Sequence, residues 1–188
     1  MLDSHYRPLC KVALPWRNRQ MYMHSFDLAD IAMVEGFEDY LLPVWSLCRH
    51  AGAVAGIAHM TIDEKIIQAG MSQRRPKPHV DGCFMPPKMG WWHEPGWLHY
   101  CNNIDGSSVH RMSVIVAASV AGCRVWHGTF DGAPKDDGDL LHISDQLGEG
   151  EILSANIGYL LSPDCVHESM TFAMPTRRTF LRIALPLS

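Results

Sequence analysis

From about Ala58 onward the chain is a succession of short segments: HMTIDEKII, HRMSVIVAASV, CRVWHGTF, DLLHIS, EILSANIGYLLS and RTFLRIALPL. Each is rich in β-branched or aromatic residues and too short for a sustained helix, and Gly, Pro, Asp and Asn separate them. No helical stretches alternate with these segments, as a parallel α/β sheet would require, so the pattern predicts a β-sandwich, jelly roll or barrel. With 188 residues, 47% of them hydrophobic and 19% charged, one domain spanning residues 1–188 can bury a real core. The first 57 residues read differently. Asp27 is placed to cap a helix over LADIAMVEGFEDYLL, and Pro43 opens a second, PVWSLCRH, with Gly52 just past its end. The expectation is a helical support over 1–57 packed on a β core over 58–188.

The formal net charge of −4 argues against a chain whose main task is coating nucleic acid. No stretch approaches the roughly 20 apolar residues that span a bilayer. The longest apolar run, Met112 to Cys123, is broken by Ser113, Ser119 and Gly122 and reads as a buried strand. The first residues lack the continuous apolar core of a signal peptide. Six scattered cysteines with no CxxC pair read as reduced thiols, giving the expectation of a cytoplasmic protein without membrane partners. Eleven histidines are the one compositional excess.

Two of those histidines fall into a chemical pattern. In PHVDG, His79 and Asp81 share a face if the segment is extended, because strand side chains alternate with period two. An imidazole and a carboxylate so placed can take neighbouring positions on a divalent metal. Random placement yields about one HxD or HxE match in a chain of this composition, and this chain has one. The downstream sequence raises its weight. His167 follows a Ser-Pro-Asp turn, and PTRRTFLRIALPL then sets Arg177, Arg178 and Arg182 among apolar residues. Arginines in an apolar strand are costly to bury unless each meets an anion. HxD, a distant His and an Arg about ten residues later are the order of a two-His-one-carboxylate facial triad with a carboxylate anchor. Such a triad leaves coordination sites open on Fe(II).

In these residues the chain resembles the 2-oxoglutarate- and Fe(II)-dependent dioxygenases, from about residue 60 to the end. The resemblance implies a double-stranded β-helix, a jelly-roll core, with His79, Asp81 and His167 holding Fe(II). It also implies 2-oxoglutarate as co-substrate and O2 as oxidant. The products would be succinate, CO2 and an oxidised substrate C–H bond. Either Arg177 or Arg178 would anchor the distal carboxylate of 2-oxoglutarate through a bidentate pair. Arg178 is preferred, because Arg182 shares its face and would then point inward toward an acidic group on the substrate. Gln68, on the preceding strand, is a further candidate contact to the co-substrate.

Residues 83–108 form a long aromatic segment of the kind that carries function more often than not. Within it Trp91, Trp92, His93, Tyr100 and Asn102 are candidate substrate contacts. QRRPK at 73–77 reads as a solvated basic loop or as steering for an acidic substrate, and the Asp-rich 128–139 as a polar turn. A small or medium-sized substrate is favoured, with a nucleotide or nucleic acid as the lesser option. Two other readings compete. A cupin-like metal enzyme would require HxH where Asp81 stands, and a non-catalytic jelly-roll binding module would leave the triad pattern to coincidence. Hydrolase chemistry has no GxSxG elbow to support it.

Overall fold

The computed structural model describes residues 1–81, 112–135 and 138–186. Eleven strands are described: β1 (Leu2–Ser4), β2 (Tyr6–Lys11), β3 (Gln20–Asp27), β4 (Ile57–Ile67), β5 (Val114–Ala118), β6 (Cys123–Trp126), β7 (Gly128–Phe130), β8 (Glu151–Ile152), β9 (Ile157–Leu161), β10 (Val166–Ser169) and β11 (Thr176–Ala184). They pair antiparallel throughout, in a six-stranded sheet of order β2-β9-β5-β11-β4-β3, a three-stranded sheet β10-β6-β8, and the pair β1-β7. The chain is therefore mainly β, as the punctuated segments predict.

The alternation along the central strands builds two apolar layers. On β5, Ile115 and Ala117 join a cluster with Met60, Ile62, Leu181 and Ile183, covered by the one described α-helix, α1 (Leu41–Ala51). Val114 and Val116 face the opposite way, into a cluster with Val125, Tyr159, Leu161, Phe180 and Ala184 between the sheets. β11 follows the same period. Its residues 181 and 183 face the helix layer, and 178, 180, 182 and 184 face the inter-sheet space. Both faces of the large sheet are thus buried, which explains the near-continuous apolar runs. α1 lies so close to β9 that a Cβ on Gly158 would fall 1.9 Å from Leu47 Cδ2.

Two expectations need correction. The N-terminal third is not a set of helices. It carries β1, β2 and β3, and only 41–51 is α-helical, after a 3-10 turn over Glu38–Tyr40. Helix α1 matches the PVWSLCRH reading, with Pro43 in the first turn and Gly52 left-handed at φ 80°. The Gly52 N–H donates to Arg49 O and the Ala53 N–H to Cys48 O, a Schellman ending. The LADIAMVEGF stretch does not become a helix. Asp27 instead uses its carboxylate for the Ala29 N–H (2.9 Å), a local turn, and Gly36 at φ 83° interrupts the remainder. DLLHIS is not a strand either. Its buried Leu140 and Ile143 are three apart, and a 3-10 helix spans Leu141–Gln146.

Candidate metal centre and anion anchor

His79 and His167 are brought together by backbone pairing. His79 N–H donates to His167 O (3.0 Å) and His167 N–H to His79 O (2.9 Å), a hydrogen-bonded antiparallel pair that extends the small sheet beyond β10. Directly opposed residues send their side chains to the same face, and the ring centroids lie 4.3 Å apart. Val80 is buried in the separate apolar cluster of Leu2, Trp126 and Val166, so the alternation turns Asp81 to the histidine side. One ligand atom from each of His79, Asp81 and His167 falls within 4.8 Å of the others. Neighbouring donors around an ion bound at about 2.1 Å are roughly 3 Å apart, a gap that rotation of short side chains can close.

The chemistry of the donors suits a metal. Both rings are oriented through Nδ1, which is 2.6 Å from Lys77 O in His79 and 2.9 Å from Cys165 O in His167. Each Nδ1–H donating to a carbonyl leaves Nε2 as the free donor toward the cluster, the arrangement that fixes metal-ligating histidines. Burial, and then the neighbouring His167, pull His79 down to about 3. Burial alone would raise Asp81, but the Arg182 guanidinium and the two imidazoles hold it well below the ordinary carboxylate range. At neutral pH His79 is therefore neutral and Asp81 anionic, the forms that coordinate. His79 and His167 are 6% and 7% exposed.

Of the three arginines, the structure separates two roles by strand face. Arg177 points outward, its guanidinium 4.5 Å from the Trp16 ring. Arg178 is 1% exposed. Its Nε–H donates to Val120 O (2.8 Å), one terminal nitrogen donates to Gln73 Oε1 (2.5 Å), and Phe172 and Phe180 flank it at 5.7 and 5.5 Å. Among the described residues no carboxylate forms an ion pair with it, and burial pulls it down to about 10. A small cavity of about 10 Å³, the room of one water, lies beside it, lined by Val116, Ala118, Cys123, Tyr159 and Phe180. Arg182, on the same face, reaches Asp81 instead, Nε to Oδ2 2.7 Å. Its terminal nitrogen is 3.4 Å from Met23 Sδ, at a β3 bulge where Met23 is left-handed (φ 51°).

The other candidates fall as follows. Gln68 is exposed in the turn after β4; the glutamine that meets Arg178 is Gln73. Trp91, Trp92, His93, Tyr100 and Asn102 lie outside the described residues. QRRPK is part built in and part solvated: Gln73 is buried, Arg74 and Arg75 are half-buried, and Pro76 and Lys77 are exposed. Arg74 N–H donates to Ser169 Oγ, the Arg74 guanidinium lies over Phe180, and Arg75 is 3.5 Å from Asp139. The polar 128–139 segment carries β7, and Asp139 pairs with His79 through the backbone. Sequence reasoning missed Gln73 because its partner is 105 residues away and no spacing rule connects them. Comparison with family models, curated proteins and solved structures finds no match.

Proposed function

We propose that the protein is a 2-oxoglutarate- and Fe(II)-dependent oxygenase built on a double-stranded β-helix. The carrying observation is that one inter-sheet space receives both halves of the required chemistry. The His79–Asp81–His167 group meets Arg182, and Arg178 lies on that same inward face of β11 with no carboxylate ion pair among the described residues. A buried cation that only feels Asp63 at a distance, with no ion pair among the described residues, is expensive to maintain, and a carboxylate ligand would satisfy it.

Strand order supports the fold reading. The inner four strands of the large sheet run β4-β11-β5-β9, and the small sheet runs from His79 to β10-β6-β8. In chain order these strands pass between the two sheets as a jelly-roll helix does.

On this reading His79 Nε2, His167 Nε2 and an Asp81 oxygen hold the metal, and Arg182 fixes the carboxylate. Arg178 binds the distal carboxylate of the 2-oxo acid. The apolar lining of Val116, Tyr159 and Phe180 keeps bulk water from the acid's methylene chain. Bound iron supplies the redox chemistry by which 2-oxoglutarate, O2 and a substrate C–H give succinate, CO2 and C–OH. A small or medium-sized substrate is the preferred class. The test is conversion of 2-oxoglutarate to succinate in air with Fe(II), with and without candidate substrates. Wild-type protein forms succinate and His79→Ala does not; equal rates in both would overturn the reading.

A further inference from the structure

Between β4 and His79 the chain runs against β10 and its continuation. Ser72 pairs with Thr171, Ser169 N–H donates to Arg75 O, and His79 pairs with His167. This short, pinned segment carries Gln73, which is 5% exposed. Its amide is defined at both ends. Nε2 donates to Asp63 O (2.6 Å) and Oε1 accepts from the Arg178 guanidinium (2.5 Å). A carboxamide is the neutral side chain that can accept from a cation and donate to a carbonyl at once. A carboxylate here would cancel the charge of Arg178, and an aliphatic chain would leave one terminal nitrogen without an acceptor.

We infer that Gln73 is the positioning residue of the anion anchor: it fixes one terminal nitrogen of Arg178 without neutralising it. With Nε held by Val120 O and one terminal nitrogen held by Gln73, the rest of the fork is left for a ligand carboxylate. This rests on Arg178 being the 2-oxoglutarate anchor. The same segment holds Gln73 and the metal ligand His79, so the co-substrate's two ends are registered to each other by six residues of backbone.

The test measures equilibrium binding of 2-oxoglutarate and of pyruvate to full-length protein with redox-silent Mn(II) under anaerobic conditions. Pyruvate is a 2-oxo acid without the distal carboxylate. The proteins are wild type, Gln73→Met, Gln73→Glu and Arg178→Met, each also assayed for Mn(II) affinity. Loss of a hydrogen bond to a charged group corresponds to about tenfold or more in affinity. Gln73→Met should therefore weaken 2-oxoglutarate by about tenfold or more. Gln73→Glu, which folds with its own carboxylate on Arg178, should weaken it further. Pyruvate and Mn(II) binding stay at wild-type levels, which a general structural defect would not allow. If Arg178→Met loses 2-oxoglutarate while both Gln73 variants keep wild-type affinity, the role of Gln73 is refuted. If wild type itself does not bind 2-oxoglutarate, the anchor reading falls and takes Gln73 with it.

Discussion

Replacing Arg178 by methionine separates a residue kept for the fold from one kept for a ligand. Its guanidinium sits at about 10 instead of the ordinary 12.5 because burial disfavours the charge. At 1.36 kcal/mol per unit of pKa, holding that charge costs the folded state roughly 3 kcal/mol. The sign is that of a cation whose pKa falls on folding: the cost is present at every pH below about 10 and is relieved only as pH rises toward 12.5. A ligand carboxylate that meets the fork recovers a comparable amount, so Arg178→Met should weaken 2-oxoglutarate binding roughly 100-fold. The fold responds differently. Methionine removes the buried charge but leaves Val120 O and Gln73 Oε1 without their donor, at about 1–3 kcal/mol each. The opposing effects leave stability between about 1 kcal/mol above and about 3 kcal/mol below wild type, a melting shift of no more than about 12 °C in a chain of this size. Calorimetric titration with 2-oxoglutarate and Mn(II), beside thermal unfolding, reads both quantities. A variant that binds 2-oxoglutarate as wild type does, or that unfolds outright, refutes the reasoning.

The neighbouring arginine gives the converse. Among the described residues the Arg177 side chain makes an exposed cation–π contact to Trp16, so Arg177→Ala should cost under about 1 kcal/mol in urea unfolding and leave 2-oxoglutarate affinity unchanged. Gly122→Ala places a Cβ 2.6 Å from Phe172 Cζ at φ 154°, and Phe172 flanks Arg178. It should destabilise by about 1–3 kcal/mol and weaken 2-oxoglutarate binding in the same titration. Burial pushes the Cys48, Cys123 and Cys165 thiols up to about 12. Alkylation of the buried Cys48 and Cys165 in the native protein, read by peptide mass spectrometry, should lag behind that of half-buried Cys10 at pH 8 and keep climbing to pH 11 without a plateau.

The β-rich half was legible because the central strands are buried on both faces, which concentrates Val, Ile and Leu between turn residues. The N-terminal third was not. LADIAMVEGF has helical composition, but Asp27 spends its carboxylate on a turn and β3 pairs with β4 over Gln20–Asp27, a tertiary contact no local window contains. That His79, Asp81 and His167 could come together was readable from spacing and order. What spacing could not supply was which of Arg177 and Arg178 faces inward, which depends on how β11 pairs with β4 and β5. Arg182 shows the same limit. Its inward direction follows from strand period, yet its partner is Asp81, on the segment that pairs with β10 of the small sheet. Gln73 was invisible because its contact to Arg178 joins the segment after β4 to a strand 105 residues away.

The most direct measurement is an anaerobic titration of the apoprotein with Fe(II) and then 2-oxoglutarate, followed by visible absorption. The account predicts a weak metal-to-ligand charge-transfer band that saturates with 2-oxoglutarate and is absent in His79→Ala. Fe(II) binding with no band at saturating 2-oxoglutarate, or an equal band in His79→Ala, would contradict it.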